Sequence, residues 1–173
     1  EVVALALSAF YCGGMALNDL CDLEYDRVHQ RYRPIPAGRV TVQQAWMVAI
    51  VLFAVGFAGL ALSPHRSALT AGLLLLFTIW IYDRYHKQYT ATVLVMAAAR
   101  LLVYLVVALA LADKIVNVVW LAAILQALYV LLLTVIARFE SRTAQRRYSW
   151  PVIPWLIAVM PLIDGAVLAV FVA

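Results

Sequence analysis

The sequence has little charge for its length. Asp, Glu, Lys and Arg make up 13% of its 173 residues, and hydrophobic residues make up 66%. A water-soluble domain is excluded, because such a domain has about half its residues apolar and about twice this share of charge. Basic residues outnumber acidic ones by 13 to 9. They form no basic helix face and no patch interleaved with aromatic residues, so nucleic-acid binding is not indicated.

Cysteine is scarce as well. Cys12 and Cys21 are the only two cysteines, and their spacing is not that of metal ligands. A disulfide framework is therefore not predicted, and apolar packing is the default interpretation for both side chains.

Long apolar runs take the place of the missing charge. Each run is close to the ~20 residues that cross the hydrocarbon core of a bilayer. We expect spans at 1–17, 43–62, 66–82, 91–112, 115–137 and 151–172. The predicted fold class is an all-α membrane protein, a bundle of transmembrane helices that forms a single domain over residues 1–173.

Basic residues are divided unevenly between the connections. Ten of them lie in 18–42, 83–90 and 138–150, whereas the opposite connections hold only Arg66 and Lys114. Because cytoplasmic loops are enriched in Lys and Arg, the first set is predicted to face the cytoplasm. We expect a multi-pass protein of the cell's inner or plasma membrane, in contact with the lipid bilayer.

The densest group of charges follows the first apolar run, at 18–41. If the helix continues at about 100° per residue, one amide and three carboxylates share an arc of about 100°; they are Asn18, Asp19, Asp22 and Asp26. Glu24 points away from them. A solvated acidic loop is the ordinary interpretation of a charge run. The segregation by helical phase and the all-oxygen ligand set favour instead a Mg²⁺–diphosphate site at the membrane surface.

The second half of this segment contains turn signals. Pro34 and Pro36 keep the residues before them out of the helical region, and Gly38 allows a turn. These residues predict a stiff, extended strap that returns the chain to the membrane. Thr41 and Gln44 have the T-x-x-Q form of a capping box at the start of the next span.

Residues 18–26 read NDxxDxxxD, and residues 33–41 follow as RPIPAGRVT. Together they resemble the first signature of the UbiA superfamily of intramembrane prenyltransferases. That family typically has about nine spans of ~20 residues, so we expect this chain, with about six, to be a fragment lacking an initial span and the last ones.

The resemblance also implies an enzyme that transfers an isoprenoid chain from its diphosphate to a small acceptor. It assigns Mg²⁺ to the carboxylates and amide of the first signature, with Asp22 and Asp26 catalytic. The full set of expected metal ligands is Asn18, Asp19, Asp22, Asp26 and Glu140.

Basic residues near the signature are candidates for binding the diphosphate. In the family the second connection carries a Tyr and a Lys four residues apart; here Tyr82 lies five residues before Lys87, which is a loose match. Arg84 and Lys87 are suited to neutralise the charge of a leaving group, and Arg33 is a third candidate. The alternative is that these residues only anchor the topology.

Two ionisable residues lie inside predicted spans. A charge at the depth of Arg100 costs at least about 2.5 kcal/mol, which makes it a functional candidate. We predict a catalytic role, with a carboxylate of the signature or the phosphates of the substrate as its partner. The alternative is a structural ion pair with Asp164.

The chain departs from the family where a second Asp-rich motif is expected, after the span at 115–137. It reads ARFESR at 137–142. Either Glu140 alone supports a second ion, or Arg138 and Arg142 hold the diphosphate in bidentate fashion. Altered or lost catalysis and a purely topological role of the arginines are the other options. We favour diphosphate binding by Arg138 and Arg142.

Two other functions are compatible with the same predicted spans. A transporter would explain Arg100 and Asp164 as charges that line a pathway, but not a phase-aligned carboxylate cluster beside a basic loop. A non-catalytic lipid-binding protein of related fold would explain the missing second motif. Metal-dependent turnover would separate the enzyme from both.

Overall fold

The computed structural model describes residues 1–142 and 152–172, with only the backbone described at 138–142, 152, 168 and 170–172. All regular secondary structure in these ranges is helical, which confirms the predicted all-α class. The helices are α1 (Val2–Cys21), α2 (Leu23–His29), α3 (Val42–Ala61), α4 (Ser67–Tyr85), α5 (Thr92–Ala112), α6 (Asn117–Arg142) and α7 (Val152–Val172).

Five of these helices are long and apolar enough to cross a membrane. They are α1, α3, α4, α5 and the Asn117–Ala137 part of α6. In α7 the apolar stretch within the described residues is shorter, Ile153–Val167. Large apolar side chains such as Phe77 and Leu111 face outward, as expected where lipid rather than water surrounds the bundle. The predicted bundle of transmembrane helices is thus confirmed, and within the described residues five of the six predicted spans have the required length.

The first helix is longer than the predicted span at 1–17, because the polar signature continues it. Asp22 has helical backbone angles (φ −86°, ψ −4°) at the junction between α1 and α2. Its amide donates to the Asn18 carbonyl at 2.9 Å, and the Asp26 amide donates to the Asp22 carbonyl at 2.9 Å. The helical phase used to align the carboxylates is therefore preserved through the junction.

The predicted extended strap is wrong. Residues 30–40 form successive turns, in which the Gly38 amide donates to the Ile35 carbonyl and the Arg39 amide to the Pro34 carbonyl, both at 3.0 Å. Proline fixes φ near −65°, which suits a turn as well as an extended chain. Gly38 adopts φ +71°, a conformation that glycine tolerates without strain.

The start of α3 follows the prediction. The Gln44 amide donates to the Thr41 hydroxyl oxygen at 3.1 Å, and the Gln44 side chain accepts from the Thr41 amide at 2.9 Å. This reciprocal capping box satisfies two backbone donors at the helix start.

Helices that follow one another in the chain pack together, since α4 contacts α5, α5 contacts α6 and α6 contacts α7, while α1 lies between α3 and α4. The approach of α1 to α3 is close. A Cβ atom at Gly56 would lie 2.6 Å from Phe10 Cδ2, so only glycine fits there. Phe10 is buried edge-on against Phe57, with ring centroids 4.9 Å apart. Nearer the signature, a Cβ atom at Gly14 would lie 3.3 Å from Ile79 Cγ2, so α1 also approaches α4 closely towards the end where the signature begins.

Candidate active site

The acidic signature meets the last turn of α4 at one end of the bundle. The Asn18 amide nitrogen donates to Asp83 Oδ1 at 3.2 Å, and Lys87 Nζ lies 2.9 Å from Asp22 Oδ1. Residues far apart in the sequence therefore form one group, which we call the charge cluster; it consists of Asn18, Asp19, Asp22, Asp26, Arg33, Asp83 and Lys87.

Three carboxylates of the charge cluster are buried. Asp26 is 1% exposed, and Asp22 and Asp83 are each 6% exposed. A buried carboxylate is strongly disfavoured unless cations or hydrogen-bond donors stabilise it. Cationic side chains contact Asp22 and Asp26, whereas Asp83 has the Asn18 amide as its partner.

Two cationic side chains reach into the cluster from different connections. Arg33 Nη1 lies 2.8 Å from Asp19 Oδ1 and 3.1 Å from Asp26 Oδ2. Lys87 Nζ contacts Asp22, lies 3.9 Å from Asp26 Oδ1 and sits 3.8 Å above the centre of the Tyr25 ring. Of the predicted diphosphate ligands, Arg33 and Lys87 thus lie directly against the carboxylates.

The other predicted ligands are placed differently. Arg84 is exposed, with its guanidinium carbon 5.9 Å from the centre of the Tyr85 ring, and it forms no ion pair with the acidic side chains that the structure describes. The side chains of Arg138, Glu140 and Arg142 lie outside the described residues.

Glu24 projects away from the charge cluster, as the helical phase predicts. Its side chain is 85% exposed and pairs with Arg27 at 3.0 Å.

Sequence reasoning missed Asp83 and the orientation of His86. His86 Nε2 lies 3.6 Å from Asp22 Oδ1, and the ring stacks on Tyr82 with centroids 5.1 Å apart. In the segment 82–87 only Arg84 and Lys87 were predicted to bind the diphosphate. The signal for Asp83 was a carboxylate four residues before a lysine at the end of an apolar run, although Lys87 contacts Asp22 instead.

A second polar group lies within the bundle, between α5, α6 and α7. We call Tyr104, Gln126 and Asp164 the intramembrane polar network. The Tyr104 hydroxyl donates to Asp164 Oδ1, and Gln126 Nε2 donates to the same oxygen at 3.0 Å. Gln126 Nε2 also donates to the Met160 carbonyl at 2.8 Å. These bonds join three helices.

The network lies next to a break in the helical ladder of α7. Pro161 lacks an amide hydrogen, so it weakens the backbone hydrogen bonding around it. Side chains of α6 bind carbonyls of α7 on the N-terminal side of Pro161; besides Gln126, the Tyr129 hydroxyl donates to the Leu156 carbonyl at 2.6 Å. The side chains of α6 thus hold α7 in place where its own ladder is weak.

Arg100 lines a cavity of about 510 Å³ together with Tyr104, Asp164 and the apolar side chains of Val103 and Val107. Its Nε atom is buried and donates no hydrogen bond within the described part of the chain. No described carboxylate lies within 4.0 Å of its guanidinium group, so neither predicted pairing, with Asp164 or with the signature, is formed.

The charge cluster was tested for its fit to a metal ion. Within residues 1–142 and 152–172, no three His, Cys, Asp or Glu side chains are grouped as metal ligands. Lys87 and Arg33 lie against the carboxylates. Both Asp26 carboxylate oxygens and Asp83 Oδ2 are nevertheless buried without a hydrogen bond. Oxygen atoms of this kind are the ligands that Mg²⁺ takes, so the residues fit the ion if the cations give way.

A model of the UbiA prenyltransferase family matches residues 2–172. The digeranylgeranylglyceryl phosphate synthase of Saccharolobus solfataricus is 40% identical over 55 residues, which are 32% of this chain and 20% of that protein. The synthase of the same name from Methanopyrus kandleri is 40% identical over 83 residues, 47% of this chain and 30% of that protein.

A fungal relative aligns over a longer segment. The polyprenyl transferase trt2 of Aspergillus terreus is 32% identical over 100 residues, 55% of this chain and 29% of that protein. The chain matches less than a third of the length of each of these relatives. No solved structure matches it.

Proposed function

The chain belongs to the UbiA prenyltransferase family, and on that premise we propose that it transfers an isoprenoid chain from its diphosphate to a small acceptor at the charge cluster. The observation that best supports this is the contact of Lys87 and Arg33 with the buried Asp22 and Asp26 at one end of an apolar bundle. An isoprenoid diphosphate needs both features, a charged site for its head and an apolar environment for its tail.

Asn18, Asp22 and Asp26 are the proposed Mg²⁺ ligands, and Arg33 holds Asp19 beside them at 2.8 Å. A divalent cation bound there would draw electron density onto the leaving diphosphate. Asp22 and Asp26 are suited to this role because their helical spacing and the fixed end of α1 orient both carboxylates in advance.

Lys87 and Arg33 are the proposed diphosphate ligands. In the structure they neutralise the carboxylates; on substrate binding, phosphate oxygens replace the carboxylate oxygens as their partners. Negative charge accumulates on the diphosphate as its bond to the isoprenoid carbon breaks, and positioned cations stabilise it most at that moment. Arg84, Arg138 and Arg142 are further proposed ligands, reached from the same predicted side of the membrane.

The proposed reaction breaks the carbon–oxygen bond, and the electron pair leaves with the diphosphate. The allylic cation that results is attacked by the acceptor, which then loses a proton. Apolar helices around the site exclude water, which would otherwise capture the cation. We propose that Arg100 faces an anionic group of the substrate; the cavity that it lines extends away from the charge cluster, to Lys114 and Val116 in the connection between α5 and α6.

The names of the archaeal relatives specify a glyceryl phosphate product. We therefore propose a hydroxyl-bearing glyceryl phosphate lipid as the first acceptor to test. The charge cluster is proposed to face the cytoplasm, since it joins two connections rich in basic residues, 18–42 and 83–90.

The deciding experiment measures release of diphosphate from labelled prenyl diphosphates by the detergent-solubilised protein, with and without a chelator. We expect Mg²⁺-dependent turnover, reduced about 100- to 1000-fold in Asp22→Asn, which removes a buried charge aimed at the leaving group. Glu24→Gln is the matched control, because its exposed carboxylate lies on the other face of the helix. Prenyl diphosphate binding that ignores chelator and Asp22→Asn alike would exclude this function and favour a lipid-binding protein.

A further inference from the structure

Asp83 is a buried carboxylate that no cationic side chain contacts within the described residues. Its partner is the Asn18 amide nitrogen, 3.2 Å from Oδ1. Oδ2 is buried and accepts no hydrogen bond. A helix end at a polar surface offers many places for such a group to reach water, yet Asp83 is 6% exposed. One of its oxygens is therefore available to a ligand that the described residues do not supply.

The charge balance of the cluster points to the kind of ligand. Four carboxylates, on Asp19, Asp22, Asp26 and Asp83, lie with two cationic side chains, on Arg33 and Lys87. The formal charge of the cluster is then −2 when all four carboxylates are ionised and His86 is counted as neutral. A single divalent cation matches this excess, and carboxylate oxygens are its preferred ligands.

The contact with Asn18 places Asp83 at the same site as the signature. A carboxylate only accepts hydrogen bonds, so the Asn18 amide turns its nitrogen towards Asp83 and its carbonyl oxygen away. That oxygen is the atom of an amide that binds Mg²⁺. Asp83 thus orients the Asn18 side chain as well as adding a carboxylate.

We propose that Asp83 is a ligand of the divalent cation bound with the diphosphate. The acidic signature supplies its ligands from α1, α2 and their junction, and Asp83 adds one from α4. The proposal rests on the proposed function and deepens it. It gives the site carboxylates from both α4 and the α1–α2 junction, in a chain that has arginines where a second acidic motif is expected.

The test measures Mn²⁺ binding to the detergent-solubilised protein in the presence of inorganic pyrophosphate. The electron paramagnetic resonance signal of free Mn²⁺ reports how much of the ion stays unbound. Asp83→Asn keeps an acceptor for Asn18 but removes the charge. We expect its Mn²⁺ affinity to fall at least about 10- to 100-fold, the range found for residues that support metal ligands, with the melting temperature retained.

Glu24→Gln removes one carboxylate from the same end of the bundle and is expected to leave Mn²⁺ affinity unchanged. A folded Asp83→Asn variant that binds Mn²⁺ as the wild type does would overturn the proposal and leave the proposed function standing. Failure of the wild type to bind Mn²⁺ with pyrophosphate would instead overturn the metal-dependent function itself. If Asp83→Asn does not fold, Asp83→Ser, whose hydroxyl also accepts from Asn18, is judged by the same criterion.

Discussion

The charge cluster and the intramembrane polar network both bury a carboxylate in the helix bundle, but they stabilise it by different means. Asp26 is neutralised by Arg33 and Lys87, side chains carried by connections, and its oxygens accept no hydrogen bond. Asp164 accepts hydrogen bonds from Tyr104 and Gln126, neutral side chains fixed on helices.

We infer from this difference that the charge cluster can exchange its ionic partners for ligands, whereas the intramembrane polar network is structural. An ion pair can be replaced by a metal ion on the carboxylate and a phosphate on the cation, because each group then exchanges one oppositely charged partner for another. Hydrogen bonds between packed helices inside a membrane have no such substitute, and they hold the helices together. The comparison predicts that substitutions in the first region change ligand binding, whereas those in the second change stability.

Among substitutions of the cations, the largest expected effect is that of Lys87→Gln. Removing this cation takes away the proposed partner of the diphosphate, so we expect the rate of diphosphate release to fall about 100-fold. Without substrate, the same variant should bind Mn²⁺ more tightly, because Lys87 no longer competes for Asp22. Arg31→Gln, at an exposed position of the same surface, is the control. An unchanged rate in Lys87→Gln would mean that the residue is only a topology anchor.

A smaller effect, on stability rather than on binding, is expected in the network. Asp164→Leu leaves Tyr104 and Gln126 without their shared acceptor, which should lower the free energy of unfolding by about 1–3 kcal/mol. Asp164→Asn keeps an acceptor oxygen and should cost less than half as much. Both are measured by unfolding in detergent, together with pyrophosphate-dependent Mn²⁺ binding. A change in Mn²⁺ affinity at full stability would place Asp164 in the substrate site and break the comparison.

Arg100 lines a cavity with two residues of the intramembrane polar network, yet it is proposed to act on the substrate as the charge cluster does. Because its Nε is buried without a hydrogen bond and no described carboxylate is within 4.0 Å, Arg100→Gln removes an uncompensated charge and should leave the free energy of unfolding unchanged or raise it. If Arg100 faces an anionic group of the substrate, turnover should fall about 10-fold, the effect of one charge-assisted hydrogen bond. Lost stability with full activity would make Arg100 a structural residue.

The acidic signature was predictable because its arrangement depends only on local geometry. Asn18, Asp22 and Asp26 share a helix face as long as the backbone keeps its helical hydrogen bonds, and the bonds at Asp22 show that it does. The outward direction of Glu24 follows from the same rule. The capping box at Thr41 is equally local, since both partners lie within four residues.

Features that depend on distant partners were missed or misjudged. Asp83 lies in a segment dominated by basic residues, and only its contact with Asn18 reveals its role. Gln126 is a polar residue within an apolar span, a signal that was present but that did not identify Asp164 and Met160 as its partners. An extended strap is predicted where the structure forms turns at 30–40, because proline permits both an extended chain and a turn.

The sequence by itself determined that this protein spans a membrane, that its carboxylates share one face and that basic residues collect on one side. Composition, helical periodicity and charge distribution carry that information, since each is a property of neighbouring residues. Only the tertiary structure decided which cation contacts which carboxylate, that α4 adds Asp83, and that Arg100 stands apart from Asp164. The physical reason is that these contacts depend on the distances between α1, α3 and α4. Those distances are determined by the sizes of residues where the helices touch, such as Gly56 and Phe10.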